Sequence, residues 1–207
     1  MPNIIIHEKV AYNISKKYKS LANAEFYLGA LAPDADNLNG FAPKEIRWTS
    51  HCRAQNLNTW RENIIKFYSE QLNNYNKEFL TGYLIHILTD IVFDDYFYND
   101  VTSKIKKDNP SVQDPHPILL KCMDEYSKVN MNSDFLNEIR AKLTNATYYN
   151  ILNISKEDLK AWSNKKLNEK FTTTIENKYI DDELITEVTS KVINEYEKVK
   201  EKLNLQD

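Results

Sequence analysis

Apolar residues recur along this chain at helical rather than alternating spacing. From His7 to Tyr18 they fall at Val10, Ala11 and Ile14, and Lys16, Lys17 and Lys19 gather near the end, where cations suit the helix dipole. Asn23 suits the cap of a short second helix through AEFYLGALA, which must stop near Pro33 because proline disfavours helical backbone in the residue before it. Asp34 and Asp36 then fall in a loop. Thr49 or Ser50 suits the cap of a helix through HCRAQNLNTWRENIIKFYSEQL, with His51 in its first turn and a stripe of Leu57, Trp60, Ile64, Phe67 and Tyr68. The longest helical pattern runs from Lys77 to about Lys106, has no internal proline and is apolar around most of its circumference, which predicts a central position.

Pro110 and Pro115 break the pattern, and Pro117 suits the start of a new helix with His116 at its cap. Further helices are predicted from Ser133 to Thr144 and from Ser155 to about Lys166, the latter opened by the capping-box pattern SKED. A last helix begins at DDELI and carries Leu184, Val188, Val192, Tyr196, Val199 and Leu203 on one face. The polar stretch KFTTTIENKY loosens the link to it. No internal repeat is visible. Three glycines and six prolines in 207 residues are too few for the many tight turns of a sheet-rich fold. The expectation is therefore a single all-α domain, a multi-helix bundle over residues 1–207.

A formal net charge of −3 gives no general pull toward nucleic acid or anionic lipid. MPNIIIHEKV has no basic leader, and no run of about 18 apolar residues occurs, so no membrane span is predicted and a soluble, cytoplasmic chain is expected. Cys52 and Cys122 have no CxxC spacing and are expected to pack as reduced, small hydrophobes.

The central segment GYLIHILTDIVFDDYFYND is where the pattern raises a chemical question. His86 and Asp90 stand four positions apart, one turn along the same helix face, and Asp94 continues the line. Burying a carboxylate costs several kcal/mol, and a lone neutral histidine offsets little of it, so a divalent ion or strong donors must be near. A buried His–Asp hydrogen-bond network is the alternative. Three other histidines, His7, His51 and His116, lie where helix ends or loops could converge on this helix. Taken alone, His7 and His51 read as helix-start residues and Asp34 as a turn aspartate. Tyr83 and Trp48 read as core or as pocket wall.

Other grammars fail on inspection: no histidine precedes Asp, none completes HExxH, and no Glu stands three residues before a His. Gly-rich phosphate loops and a GxSxG elbow are also missing, and Cys52 is adjacent to His51 in sequence, which would point the two apart on a helix.

Taken in order, His7, FYLGALAPDAD, TSH and GYLIHILTDI resemble the zinc-dependent phospholipase C family, broadly related to the S1/P1-type nucleases, over roughly the first 100 residues. The resemblance implies an all-helical phospholipase C/P1 nuclease-like fold with a metal-site half in residues 1–100, followed by C-terminal helices in 115–205. It implies that Asp34, His51, His86 and Asp90 hold one zinc and that His7 and Asp90 hold a neighbouring one, with Asp90 bridging. The family site holds three zincs and uses a second His-x-x-x-Glu/Asp motif, whereas His116 is followed four positions later by Leu120. One or two Zn2+ ions are therefore expected, with Asp94 or His116 as substitutes for the missing ligands. Secreted relatives also ligate through an amino-terminal Trp, where this chain has Met1 and Pro2.

The function implied is hydrolysis of a phosphodiester, in a small molecule or a lipid headgroup, by metal-activated water, with Asp34 as the catalytic residue that orients or deprotonates it. The competing expectation is a non-catalytic helical binding module that retains a structural metal.

Overall fold

Side-chain caps fix where most of the helices begin. Asn3 accepts from the Ile6 N–H at the head of α1 (Ile4–Lys17), and Asn23 accepts from Phe26 at the head of α2 (Ala24–Leu31). After α3 (Lys44–Ser50), Asn56 accepts from Asn58 and Thr59 to open α4 (Leu57–Gln71), and Asn76 accepts from Phe79 to open α5 (Lys77–Val92). Each such cap satisfies backbone donors that the helix itself leaves unpaired. Five π-helical residues, Phe93–Phe97, carry α5 directly into α6 (Tyr98–Asp108), so the segment from Lys77 onward is one continuous rod. There follow α7 (His116–Asn130), α8 (Asp134–Leu143), α9 (Lys156–Leu167) and α10 (Asp182–Leu203), the last two capped by Ser155 and Asp181. The structure, a computed structural model, describes residues 2–205, and among these the only sheet-like feature is an isolated bridge between Ile151 and Ile154. The all-α expectation holds. No helix of the described residues is long and apolar enough to cross a membrane.

Several features differ from the sequence pattern: Asp34 and Asp36 lie in a 3-10 helix, Ala32–Asn37, rather than a loop, α3 has no counterpart in the pattern, and two helix starts move. The first helix starts at Ile4 because Asn3 caps it, so His7 lies inside the helix and is buried rather than opening it at the surface. His51 is not in the first turn of α4. It terminates α3, whose first residue follows Pro43, and Cys52 then takes a left-handed conformation (φ 49°) that turns the chain toward the Asn56 cap. Neither Thr49 nor Ser50 caps a helix start: the Thr49 hydroxyl donates backward to the Glu45 carbonyl, and that of Ser50 donates to Asp36.

α5 is buried at every residue from Phe79 to Val92 and is surrounded by α1, α2, α4 and α10. Its closest partner is α2. A Cβ on Gly82 would lie 1.9 Å from the Phe26 carbonyl oxygen, and one on Gly29 would lie 2.0 Å from that of Phe79. Only glycine at both positions lets the two backbones touch, which sets how deeply α2 sits on the central helix. On the other side, α10 covers α1 and α5 with Ile185, Val188, Val192, Tyr196 and Val199, while Leu184 and Leu203 pack at its margin. α9 rests on the 3-10 turn Ala32–Asn37 that follows α2.

Candidate metal centre

The α2–α5 crossing brings the Ala30 carbonyl oxygen to 2.7 Å from His86 Nδ1. A carbonyl only accepts, so Nδ1 carries the proton and Nε2 is left with its lone pair. His51 is set the same way, its Nδ1 lying 2.9 Å from the Arg47 carbonyl oxygen. The turn that carries His51 is held from three directions: Trp60 Nε1 donates to the His51 carbonyl at 2.7 Å, the Tyr83 hydroxyl donates to the Ser50 carbonyl, and Ser50 Oγ donates to Asp36 Oδ2 at 2.6 Å. Metal-ligating histidines characteristically have the second ring nitrogen tied in this manner.

The free nitrogens converge on two carboxylates. His51 Nε2 lies 3.3 Å from Asp34 Oδ1 and 3.7 Å from Asp90 Oδ2. His86 Nε2 lies 4.0 Å from Asp34 Oδ2 and 3.8 Å from Asp90 Oδ2. His7 Nε2 lies 3.4 Å from the other oxygen of Asp90, Oδ1, and its ring stacks on that of His86 with centroids 3.7 Å apart. Donors held about 2.0–2.2 Å from a tetrahedral ion are themselves roughly 3.3–3.6 Å apart. The separations lie at or slightly above that edge, and two triads, His7–Asp34–His86 and His51–His86–Asp90, have all ligating atoms within 4.8 Å of one another. His86 has one free nitrogen and can serve one ion. Asp90 has two oxygens directed to different partners, so it is the residue able to bridge.

These approaches are not hydrogen bonds. Nε2 of all three histidines and both oxygens of Asp90 are buried without a hydrogen-bond partner. One buried polar atom left unpaired costs about 1–3 kcal/mol, and a hydrogen-bonded His–Asp network would not leave so many at one point. Nitrogen and oxygen donors in this arrangement can hold a metal ion.

The electrostatics ready His86, Asp34 and Asp90 for ligation, whereas His51 has to release a proton when a metal binds. Burial, and then the neighbouring His7, push His86 down to about 3, which keeps it neutral at physiological pH. Burial by itself would raise the Asp34 and Asp90 carboxyls, but the surrounding imidazoles outweigh it and hold both below the ordinary carboxylate range. Burial would likewise lower His51, yet Asp34 in contact with it and Asp90 beyond prevail and raise it.

Of the five residues, only Asp34 reaches solvent. Its side chain is 16% exposed, whereas those of His7, His51, His86 and Asp90 are at most 1% exposed. Asp34 sits in the wall of a cleft of about 900 Å³ that is also bordered by Arg47, Arg53, Trp60, His116 and Trp162.

The two proposed substitute ligands lie elsewhere. Asp94 pairs with Arg53 at 2.9 Å, and the His116 ring sits beside Tyr98, with Nδ1 3.5 Å from its hydroxyl. Both border the cleft but neither belongs to the cluster. Met1 lies outside the described residues. Tyr83 is core, while Trp48 is half-buried under Lys44 and is not in the cleft wall. Burial pushes the Cys52 thiol up to about 12, so it is no nucleophile at neutral pH.

Sequence reasoning missed the outer hydrogen bonds accepted by the Ala30, Arg47 and Ser50 carbonyls, and the two tryptophans of the cleft. The glycines of LGALAPDA and GYLIH were the available signal for the first of these. Compared with protein-family models, curated proteins and solved structures, the chain matches none.

Proposed function

We propose that this chain is a metal-dependent, phospholipase C-like hydrolase of a phosphodiester, with a fold of the phospholipase C/P1 nuclease kind and one or two zinc ions held by His7, Asp34, His51, His86 and Asp90. The observation that carries the reading is the pairing of unpartnered, tautomer-fixed donors in the core with one carboxylate, Asp34, that opens onto a large cleft. When bound, zinc acidifies water to give a nucleophile near neutral pH and offsets charge growing on phosphoryl oxygens. Asp34 is ionised at that pH and faces the cleft, so it can accept a proton from the attacking water or orient it. His51 and His86 cannot take that role while their Nε2 atoms ligate, and their Nδ1 protons stay with the Arg47 and Ala30 carbonyls. The substrate is a phosphodiester of a small molecule or a lipid headgroup.

The test is elemental analysis of protein purified without chelator, beside its His86→Ala variant, together with turnover of bis(p-nitrophenyl) phosphate by Asp34→Asn. At least about one equivalent of zinc is expected in the parent protein, and a marked loss in His86→Ala. Asp34→Asn should lose roughly a hundredfold or more in kcat while remaining folded. Less than half an equivalent of any divalent metal in the parent protein overturns the proposal. A parent protein that holds metal but has no turnover, with Asp34→Asn merely less stable, favours the non-catalytic binding module instead.

A further inference from the structure

The cleft has a second wall that the metal cluster does not use. α9 rests on the turn that carries Asp34, so its inner face borders the same cavity. Trp162 on that helix is 4% exposed, and its indole N–H has no hydrogen-bond partner in the protein. Buried indoles normally find an acceptor, because leaving the donor unpaired forfeits its hydration.

Some of the charges that border the cleft are paired and some are not. Two cations of the cleft are neutralised, Arg53 by Asp94 at 2.9 Å and Lys166 by Glu169 at 2.8 Å. Lys165, three residues after Trp162, donates to the Leu38 carbonyl at 2.8 Å, and Arg47 donates to the Ala42 carbonyl at 2.9 Å. Neither makes an ion pair with a carboxylate among the described residues, and both border the cleft. Two carboxyls of the cleft, Asp34 and Asp124, likewise have no lysine or arginine partner among the described residues, and Asp34 belongs to the metal cluster. Lys166 lies over the Trp162 ring at 4.9 Å but is paired with Glu169, whereas Lys165 stands one turn from Trp162 on α9; an orphaned donor and an unpaired ammonium in one cleft wall are a place for an oxyanion.

We propose that Trp162 Nε1 and Lys165 form a subsite for a second phosphate-type oxyanion, carried by the substrate apart from the diester that is cleaved. The preferred substrates are then phosphodiesters bearing a further phosphate, over those with neutral or cationic headgroups. The subsite rests on the hydrolase reading only for what is bound next to it; anion binding by Trp162 and Lys165 stands independently.

Two-dimensional proton–nitrogen spectra of the full chain report on it directly, because Trp48, Trp60 and Trp162 give separate indole signals and Trp162→Phe identifies its own. Inorganic phosphate is titrated into the protein as purified and after chelation. A saturable shift of the Trp162 signal is expected in both preparations, with the Trp48 signal unmoved. Lys165→Gln, an exposed substitution that leaves the core untouched, should weaken the apparent affinity about tenfold. In turnover, Trp162→Phe should reduce the preference for a diester carrying a second phosphate over bis(p-nitrophenyl) phosphate, by about tenfold in kcat/KM ratio. A Trp162 signal that stays fixed, that moves only in metal-loaded protein, or that titrates identically in Lys165→Gln overturns the subsite. Phosphate binding at Trp162 in a protein that holds no metal as purified keeps the subsite and sinks the hydrolase, whereas turnover without a Trp162 shift does the reverse.

Discussion

Glu8 follows His7 in sequence but turns away from the cluster's chemistry. Its carboxyl is fully buried with neither oxygen hydrogen-bonded, and burial holds its pKa well above the ordinary carboxylate value. A neutral, unpaired acid in the core is a liability, so Glu8→Met should stabilise the fold by about 1–3 kcal/mol, measured by urea unfolding. A loss of stability instead would mean that the carboxyl has a partner. The pH dependence has a definite sign. Above the unfolded carboxylate pKa the folded state keeps a proton that the unfolded chain has lost, so stability contributed at Glu8 falls as pH rises from about 4.3 upward. Glu8→Gln should flatten that part of the profile. Nothing local announces this residue as buried: HEKVAYNI reads as an amphipathic turn in which a Glu belongs in water, and only the packing around α1 reverses that.

Among the elements, the α2–α5 pair matters most for the site, since the same crossing that lets the backbones touch delivers the Ala30 carbonyl to His86. Gly82→Ala would place a methyl against backbone that cannot swing aside, and overpacking typically costs 1–3 kcal/mol, with this case at or beyond the upper end. It should also lower metal affinity about 10- to 100-fold by displacing the hydrogen bond that orients His86. Calorimetry and a competitive zinc titration of the variant check both, and unchanged affinity would separate the crossing from the site. The helices themselves were largely legible. Asn23, Ser155 and Asp181 cap where the sequence places starts, and the stripes of α4 and α10 are buried at Trp60, Ile64 and Tyr68 and at Val188, Val192, Tyr196 and Val199. The boundary near His51 differs because Asn56 makes two bonds to the next helix, while the Thr49 and Ser50 hydroxyls are taken by the Glu45 carbonyl and Asp36.

At the scale of the whole molecule, the cluster gathers α1, α3, α5 and the turn after α2, so an ion bound there ties distant segments together. Binding only to the folded chain stabilises it by about 4 kcal/mol when free metal is a thousandfold above Kd. For a chain of this size that corresponds to roughly 10 °C in Tm. Excess chelator should lower Tm by about that amount and added zinc should restore it, while an unchanged Tm would mark the cluster as an ordinary polar core. Sequence alone determined the features that depend on near neighbours: helix class, the caps at Asn23, Ser155 and Asp181, the apolar stripes, and the i, i+4 pairing of His86 with Asp90 on one face. Resemblance supplied a list of five site residues, but no local rule could say that their ligating atoms meet. That outcome, together with the diversion of Asp94 to Arg53 and the setting of His116 beside Tyr98, was decided by tertiary structure. The physical reason is that helical periodicity is fixed within a turn or two of chain. Convergence of residues from 7 to 90 depends on how rigid helices cross, and here that rests on two glycines facing opposite backbones.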